Sequence, residues 1–163
     1  MIGIAEIMEK LPHRCPMLLV DQLIEFVPGE HLTGVKAVTA SEPWFRTILP
    51  GEPVVFPPGL LIESWCQAAA LLAVWDAPHP SVLDGEMPLL GSLSDVTFDG
   101  SVEPGSVVLH HARLIRDFGN TLIFRGTSTV DDRTVLRVGR MFMVIRPTQP
   151  PPEDAVLVRG GSS

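Results

Sequence analysis

The sequence predicts an α+β fold in which one long central helix is wrapped by a curved antiparallel sheet. Three observations predict it. The elements run short helix, two strands, long helix, four strands, so helices and strands are segregated rather than alternating. The stretch from Pro58 to Trp75 is apolar on nearly every side, so it needs cover all round. The strand signals that follow it are separated by tight-turn residues, which gives antiparallel neighbours.

Each element has its own signal. Ile4, Ile7, Met8 and Leu11 recur at helical spacing and stop at Pro12. Met17 to Phe26 reads as a strand, and Val27-Pro28-Gly29-Glu30 as the turn after it. His31 to Thr39 roughly alternates and should pair back as a hairpin. Trp44, Phe45, Ile48 and Leu49 make an apolar patch in a loop or short helix. Four prolines between Pro50 and Pro58 forbid helix there, and Pro58 itself suits the first turn of the central helix. Asp76, Pro78, Pro80 and Gly85 punctuate the exit from that helix. Leu89–Phe98, Ser106–Asp117, Asn120–Asp131 and Arg133–Arg146 read as strands, separated by Glu103-Pro104-Gly105, Phe118-Gly119 and Asp131-Asp132. Such a sheet leaves edge strands open, and two copies paired edge to edge would close them. One domain is expected over residues 1–146, followed by a mobile tail, 147–163, rich in Pro, Gly and Ser.

The bulk numbers exclude several classes of function. At 163 residues, 45% hydrophobic and 19% charged, the chain can bury one sizeable core. A net charge of −7 with only scattered Lys and Arg argues against nucleic acid as a partner. Cys15 and Cys66 form no disulfide framework and no metal spacing, and Cys66 reads as a small buried thiol; no metal and no cofactor are expected. The N-terminal decapeptide carries Glu6 and Glu9 and lacks a basic region followed by an apolar one, so it does not read as a signal peptide. The central helix is too short to span a bilayer and is interrupted by Glu63 and Gln67. A cytoplasmic protein without membrane attachment is the expectation.

Glu63 is the only formally charged side chain between Pro57 and Trp75. A lone carboxylate in an apolar helix is costly unless it is paired, neutralised or used. Gln67, one turn on, shares its face.

Four strings carry a family resemblance. They are Pro12-His13-Arg14-Cys15-Pro16-Met17-Leu18-Leu19-Val20-Asp21, Ser41-Glu42-Pro43-Trp44-Phe45, Pro50-Gly51-Glu52-Pro53 and Glu63-Ser64-Trp65-Cys66-Gln67-Ala68. In this order and at nearly preserved spacing they resemble the β-hydroxyacyl-acyl carrier protein dehydratases, from about Ile4 to Ile145. The resemblance implies a hot-dog fold working as a dimer or a trimer of dimers. It also implies an active site shared across the dimer, with a His from one subunit and a Glu from the other. Glu63 falls on the family's Glu and Gln67 on its Gln; Pro57 matches the Pro before them, while Pro58 stands where a Gly belongs and Gly59 comes one position late. The His belongs to a Gly-His-Phe-Pro-Gly string, which here reads Thr47-Ile48-Leu49-Pro50-Gly51. Ile48 therefore stands at the position of the catalytic His. One extra residue separates Gly51 from Glu63, most simply placed in Val54-Val55-Phe56.

The chemistry explains why this matters. Dehydration removes a proton from the α-carbon of the thioester and a hydroxyl from the β-carbon. The first step needs a base poised near neutral pH, which His supplies. The second needs an acid, a role that a desolvated Glu63 fits, with Gln67 orienting it or binding the leaving water. Ile48 cannot act as a base, and loss of a general base costs about 10²–10⁴-fold in rate. A homodimer of this chain is expected to be a poor dehydratase or none. His13 is expected to be structural, and His31, His79, His110 and His111 are weak substitutes, with one of the adjacent pair His110 and His111 facing inward and the other outward.

Three readings follow: a subunit that lends Glu63 to a composite site with a His-bearing partner; a non-catalytic homologue that binds or stabilises; and a hot-dog thioesterase in which Glu63 activates water. Trp44, Phe45, Ile48 and Phe56, with Pro57 and Gly59 at the helix start, are candidates to line an acyl tunnel, against ordinary packing as the alternative. The partner implied is an acyl thioester on acyl carrier protein or coenzyme A. In the family an Arg-Phe-Lys-Arg-Pro-type string meets the acidic carrier; here it reads Thr97-Phe98-Asp99-Gly100-Ser101, so docking would fall to Arg14, Arg46, Arg113, Arg116 or a second subunit.

Overall fold

Helix α2 (Pro58–Val74) is the axis on which the other elements pack. Before it come α1 (Ile4–Lys10), β1 (Gln22–Val27), β2 (His31–Ala37) and a 3-10 turn over Pro43–Phe45. After it come β3 (Glu86–Phe98), β4 (Val107–Asp117), β5 (Thr121–Val130) and β6 (Arg133–Pro147). The computed structural model describes residues 1–76 and 86–147. All six strands join one antiparallel sheet in the order β1-β2-β4-β5-β6-β3, and α2 packs against β2, β3, β4 and β5. This is the α+β, hot-dog arrangement that the sequence predicted.

The helix begins where proline chemistry dictates. Pro58 occupies the first turn, where its missing N–H is no loss, and the Leu60 and Leu61 amides donate to the Pro57 carbonyl at 2.9 and 3.0 Å. Leu61, Trp65, Ala68, Leu71 and Leu72 are buried along the core-facing side. Small groups let sheet and helix approach closely: a Cβ on Gly34 would lie 3.2 Å from that of Ala68. A Cβ on Gly126 would meet the His111 carbonyl and the Trp65 ring.

The hairpins follow their turn chemistry. Asp131 and Asp132 both adopt left-handed backbone (φ 47° and 63°), which matches the twist of the flanking strands and pairs Val130 with Arg133. On β4 the inward residue is His110, fully buried, and the outward one is His111.

The sheet's two edges differ. Ile2 exchanges two 2.9 Å backbone hydrogen bonds with Leu23 and covers part of β1. Strand β3 has β6 on one side and no strand on the other among the described residues, and it exposes Leu89, Leu90 and Phe98.

Two expectations need correction. Met17–Val20 does not extend the first strand, which starts at Gln22, because α2 side chains satisfy that segment's backbone instead. Pro147 closes β6 rather than opening the tail. Residues 148–163 and 77–85, with His79 among them, lie outside the described residues.

Candidate active site

Gln67 organises the site. Its side-chain oxygen accepts the Leu19 amide at 2.9 Å, which fixes the orientation of its amide. Nε2 is then the donor, to the Met17 carbonyl at 2.8 Å and to Glu63 Oε1 at 2.9 Å. Ser64 adds a third pin, donating its hydroxyl to the Leu19 carbonyl at 2.6 Å. The ring of His110 backs Ser64 at 2.7 Å through Nε2 and meets the Ser128 hydroxyl at 2.8 Å through Nδ1. Because the Ser64 hydrogen goes to Leu19, Nε2 of His110 carries the ring hydrogen and Nδ1 accepts from Ser128. Complete burial, helped by the nearby positive groups of His111 and Lys36, pulls His110 down to about 3, so the ring is neutral.

Glu63 is less enclosed than the sequence implied, because its side chain stays 35% exposed in the single chain. Gln67 donates to Oε1, and His13 Nε2 lies 3.5 Å from the same oxygen. Oε2 has no hydrogen bond among the described residues. The carboxylate is thus held on one oxygen and open on the other. Beside it, burial and then the Glu63 charge push the Cys66 thiol up to about 12, so no thiolate nucleophile forms there.

The other candidates sit around the start of α2. Phe56 is in the core and meets Trp44 edge-on at 5.9 Å between ring centroids; Phe45 packs against the same core. Pro57 caps α2, and Gly59 is exposed with open space where a Cβ would be. Ile48 is half-buried in a loop held by its own neighbours: its amide reaches the Phe45 carbonyl at 3.4 Å, and the Leu49 amide reaches Glu52 at 3.0 Å. The Glu42-Pro43 string has a structural task, since Glu42 takes the buried Lys36 ammonium at 2.9 Å and the Thr39 amide at 2.9 Å.

Sequence reasoning missed the proximity of His13 to Glu63, fifty positions apart. It also missed the cations near Asp99. Arg137 pairs with Asp99 at 2.6 Å and Arg133 donates to the Ser101 carbonyl, so the 97–101 string has arginines beside it, supplied by β6. No group of His, Cys, Asp and Glu among the described residues is arranged to hold a metal ion. A concavity of about 450 Å³ lies on the outer side of the sheet, lined by Glu25, His31, Thr33, His111, Arg113 and Arg125 among others, away from Glu63.

Residues 11–139 match the family model of the FabA-like domain. The chain belongs to the FabA-like family of β-hydroxyacyl-acyl carrier protein dehydratases. It is 40% identical over 147 residues to the 3-hydroxyacyl-[acyl-carrier-protein] dehydratase FabZ of Granulibacter bethesdensis, covering 90% of this chain and 85% of that one. It is 37% identical over 130 residues to FabZ of Ralstonia nicotianae, covering 80% and 78%. Among solved structures, the dehydratase heterocomplex ApeI:P from Xenorhabdus doucetiae superposes with a TM-score of 0.69 at 19% identity, covering 86% of this chain and 90% of that one. The fluoroacetyl-CoA thioesterase FlK superposes at 0.57 with 20% identity, covering 76% and 90%. Dehydratase and thioesterase thus share the fold of this FabA-like chain, and at such identities the likeness is one of fold alone. In this FabA-like chain no helix among the described residues is long and apolar enough to cross a membrane.

Proposed function

We propose that this FabA-like chain is a dehydratase-like subunit acting on β-hydroxyacyl thioesters in fatty-acid or polyketide biosynthesis. It supplies Glu63 to a composite site completed by a His-bearing partner. One observation carries the reading: Glu63 is oriented by Gln67 with Oε2 left open, while the residue at the family's His position is Ile48. The acid half is built and the base half is absent.

The chemistry divides accordingly. The partner's base takes the α-proton, and the electrons of that C–H bond form the new double bond. The C–O bond at the β-carbon breaks as Oε2–H of Glu63 passes its proton to the leaving hydroxyl, which departs as water. Gln67, donating to Oε1, stabilises the carboxylate that results. Trp44, Phe45, Ile48 and Phe56, with Pro57 and Gly59, would border the acyl chain.

The edge of β3, without a neighbouring strand among the described residues, offers the seam for a dimer, with Leu89, Leu90 and Phe98 exposed along it. ApeI:P provides the precedent of a dehydratase heterocomplex on this fold. For an acidic carrier, Arg133 and Arg137 stand beside the 97–101 string, although Asp99 already neutralises part of their charge.

The test is dehydration of a β-hydroxybutyryl thioester by the pure chain, by a His-bearing FabZ-type subunit, and by the two purified together. Turnover by the mixture above that of the FabZ-type subunit alone, lost with Glu63→Gln, is expected. A mixture no faster than the FabZ-type subunit alone defeats the composite-site reading. Release of free acid by the pure chain identifies a thioesterase instead.

A further inference from the structure

The Pro12–Asp21 string does more than brace the helix. Arg14 Nη1 donates to the Leu11 and His13 carbonyls at 2.8 and 2.7 Å, which fixes the backbone on both sides of Pro12. The Met17 and Leu18 amides return to the Arg14 carbonyl, and Met17 and Leu19 are bonded to Gln67. His13 is thereby carried to Glu63 by a segment tied to α2 through the same glutamine that holds the carboxylate.

The ring of His13 has a determinable orientation of function. Its Nδ1 is buried and has no partner among the described residues. A hydrogen there would be an orphaned donor, whereas a bare lone pair is the cheaper deficit. The hydrogen therefore belongs on Nε2, the atom 3.5 Å from Glu63 Oε1. In this tautomer the N–H of His13 is on the nitrogen nearer the carboxylate, and the bare nitrogen is buried away from a substrate. It does not replace the ring missing at Ile48. The separation is long for a hydrogen bond, and contacts of this kind tighten when an active site is filled.

We propose that His13 is a positioning residue for Glu63: with Gln67 it holds Oε1, so that the acid proton is presented from Oε2. This rests on the reading of Glu63 as the acid of a dehydratase site. Gln67 donates to this oxygen and His13 Nε2 stands 3.5 Å from it; negative charge grows there as the proton leaves, so their effect falls on the transition state more than on substrate binding.

Two measurements test it. In the purified full chain, the carboxylate stretch of Glu63 is the infrared band that Glu63→Gln removes. That band is expected to shift in His13→Ala and to return toward its position in His13→Gln, which keeps a donor near the place of Nε2. An unshifted band in His13→Ala overturns the proposal without reference to any partner or activity. In the complemented assay, His13→Ala is expected to lower kcat about 10- to 10²-fold with KM unchanged, and His13→Gln to recover much of it. Wild-type kcat in His13→Ala, with Glu63→Gln inactive, sinks the positioning role and leaves the dehydratase reading standing. Wild-type kcat in Glu63→Gln sinks both.

Discussion

The Glu63 face of α2 and the loop around Ile48, the two halves of the composite site proposed above, are built differently. On α2, Ser64 and Gln67 make four hydrogen bonds to the Met17–Leu19 backbone and to Glu63, all between 2.6 and 2.9 Å. His110 and Ser128 back them from the sheet. Among the described residues the loop's hydrogen bonds are short-range, from Ile48 to Phe45 and between Leu49 and Glu52, and Leu49 is 64% exposed. One half keeps a functional group and the scaffold that aims it. The loop carries an aliphatic side chain at position 48, and its backbone ties among the described residues are to neighbours in sequence.

The comparison can be broken most decisively at Glu63. Glu63→Gln removes the acid and is expected to reduce turnover of the complemented protein about 10²–10⁴-fold, followed by absorbance of the enoyl thioester product. A smaller loss, near twofold, would mean that the oriented half is a relic. Next comes the loop. Ile48→His restores a ring nitrogen at the family position, and the pure chain should gain about 10- to 10²-fold in dehydration over its own wild type. This is less than a full general-base contribution, because the loop's hydrogen bonds among the described residues are local. No gain at all would place the missing ingredient elsewhere than at position 48.

The remaining effects are on stability. His110 has a folded pKa depressed to about 3 from an ordinary 6.5, so only the unfolded chain binds a proton between those values. Stability from this group is complete above pH 6.5 and is lost as pH falls toward 3, with a slope approaching about 1.4 kcal/mol per pH unit. Urea unfolding of wild type and His110→Asn at pH 7, 6 and 5 should show a shallower acid slope in the variant; parallel slopes would refute the assignment. Gln67→Leu strands the Leu19 amide and the Met17 carbonyl. It should cost about 1–3 kcal/mol by the same method, whereas Leu49→Ala in the loop should cost less than about 0.5 kcal/mol. Equal losses at the two sites would erase the contrast between the two halves.

Much of the fold was legible because it rests on local signals. The 3.6-residue spacing of Ile4, Ile7, Met8 and Leu11, the proline start of α2 and the Asp131-Asp132 turn each act within a few residues. Met17–Val20 misled for the opposite reason. Its apolar run suits a strand, but its backbone bonds to Ser64 and Gln67, some 45 to 50 positions away. His13 escaped notice in the same way, since nothing near it in sequence signals a carboxylate fifty positions on.

The sequence by itself determined the family, the α+β arrangement, the presence of Glu63 and Gln67 one helical turn apart, and the aliphatic side chain at position 48. Those are facts of residue identity and local periodicity, which need no partner in space. Only the tertiary structure decided which oxygen of Glu63 is held, that Glu63 is half-exposed rather than buried, and that His13 faces it. It also decided that Met17–Val20 is a strap on α2 rather than the start of the first strand. These depend on long-range closure, in which buried donors and acceptors find partners wherever the packed chain places them.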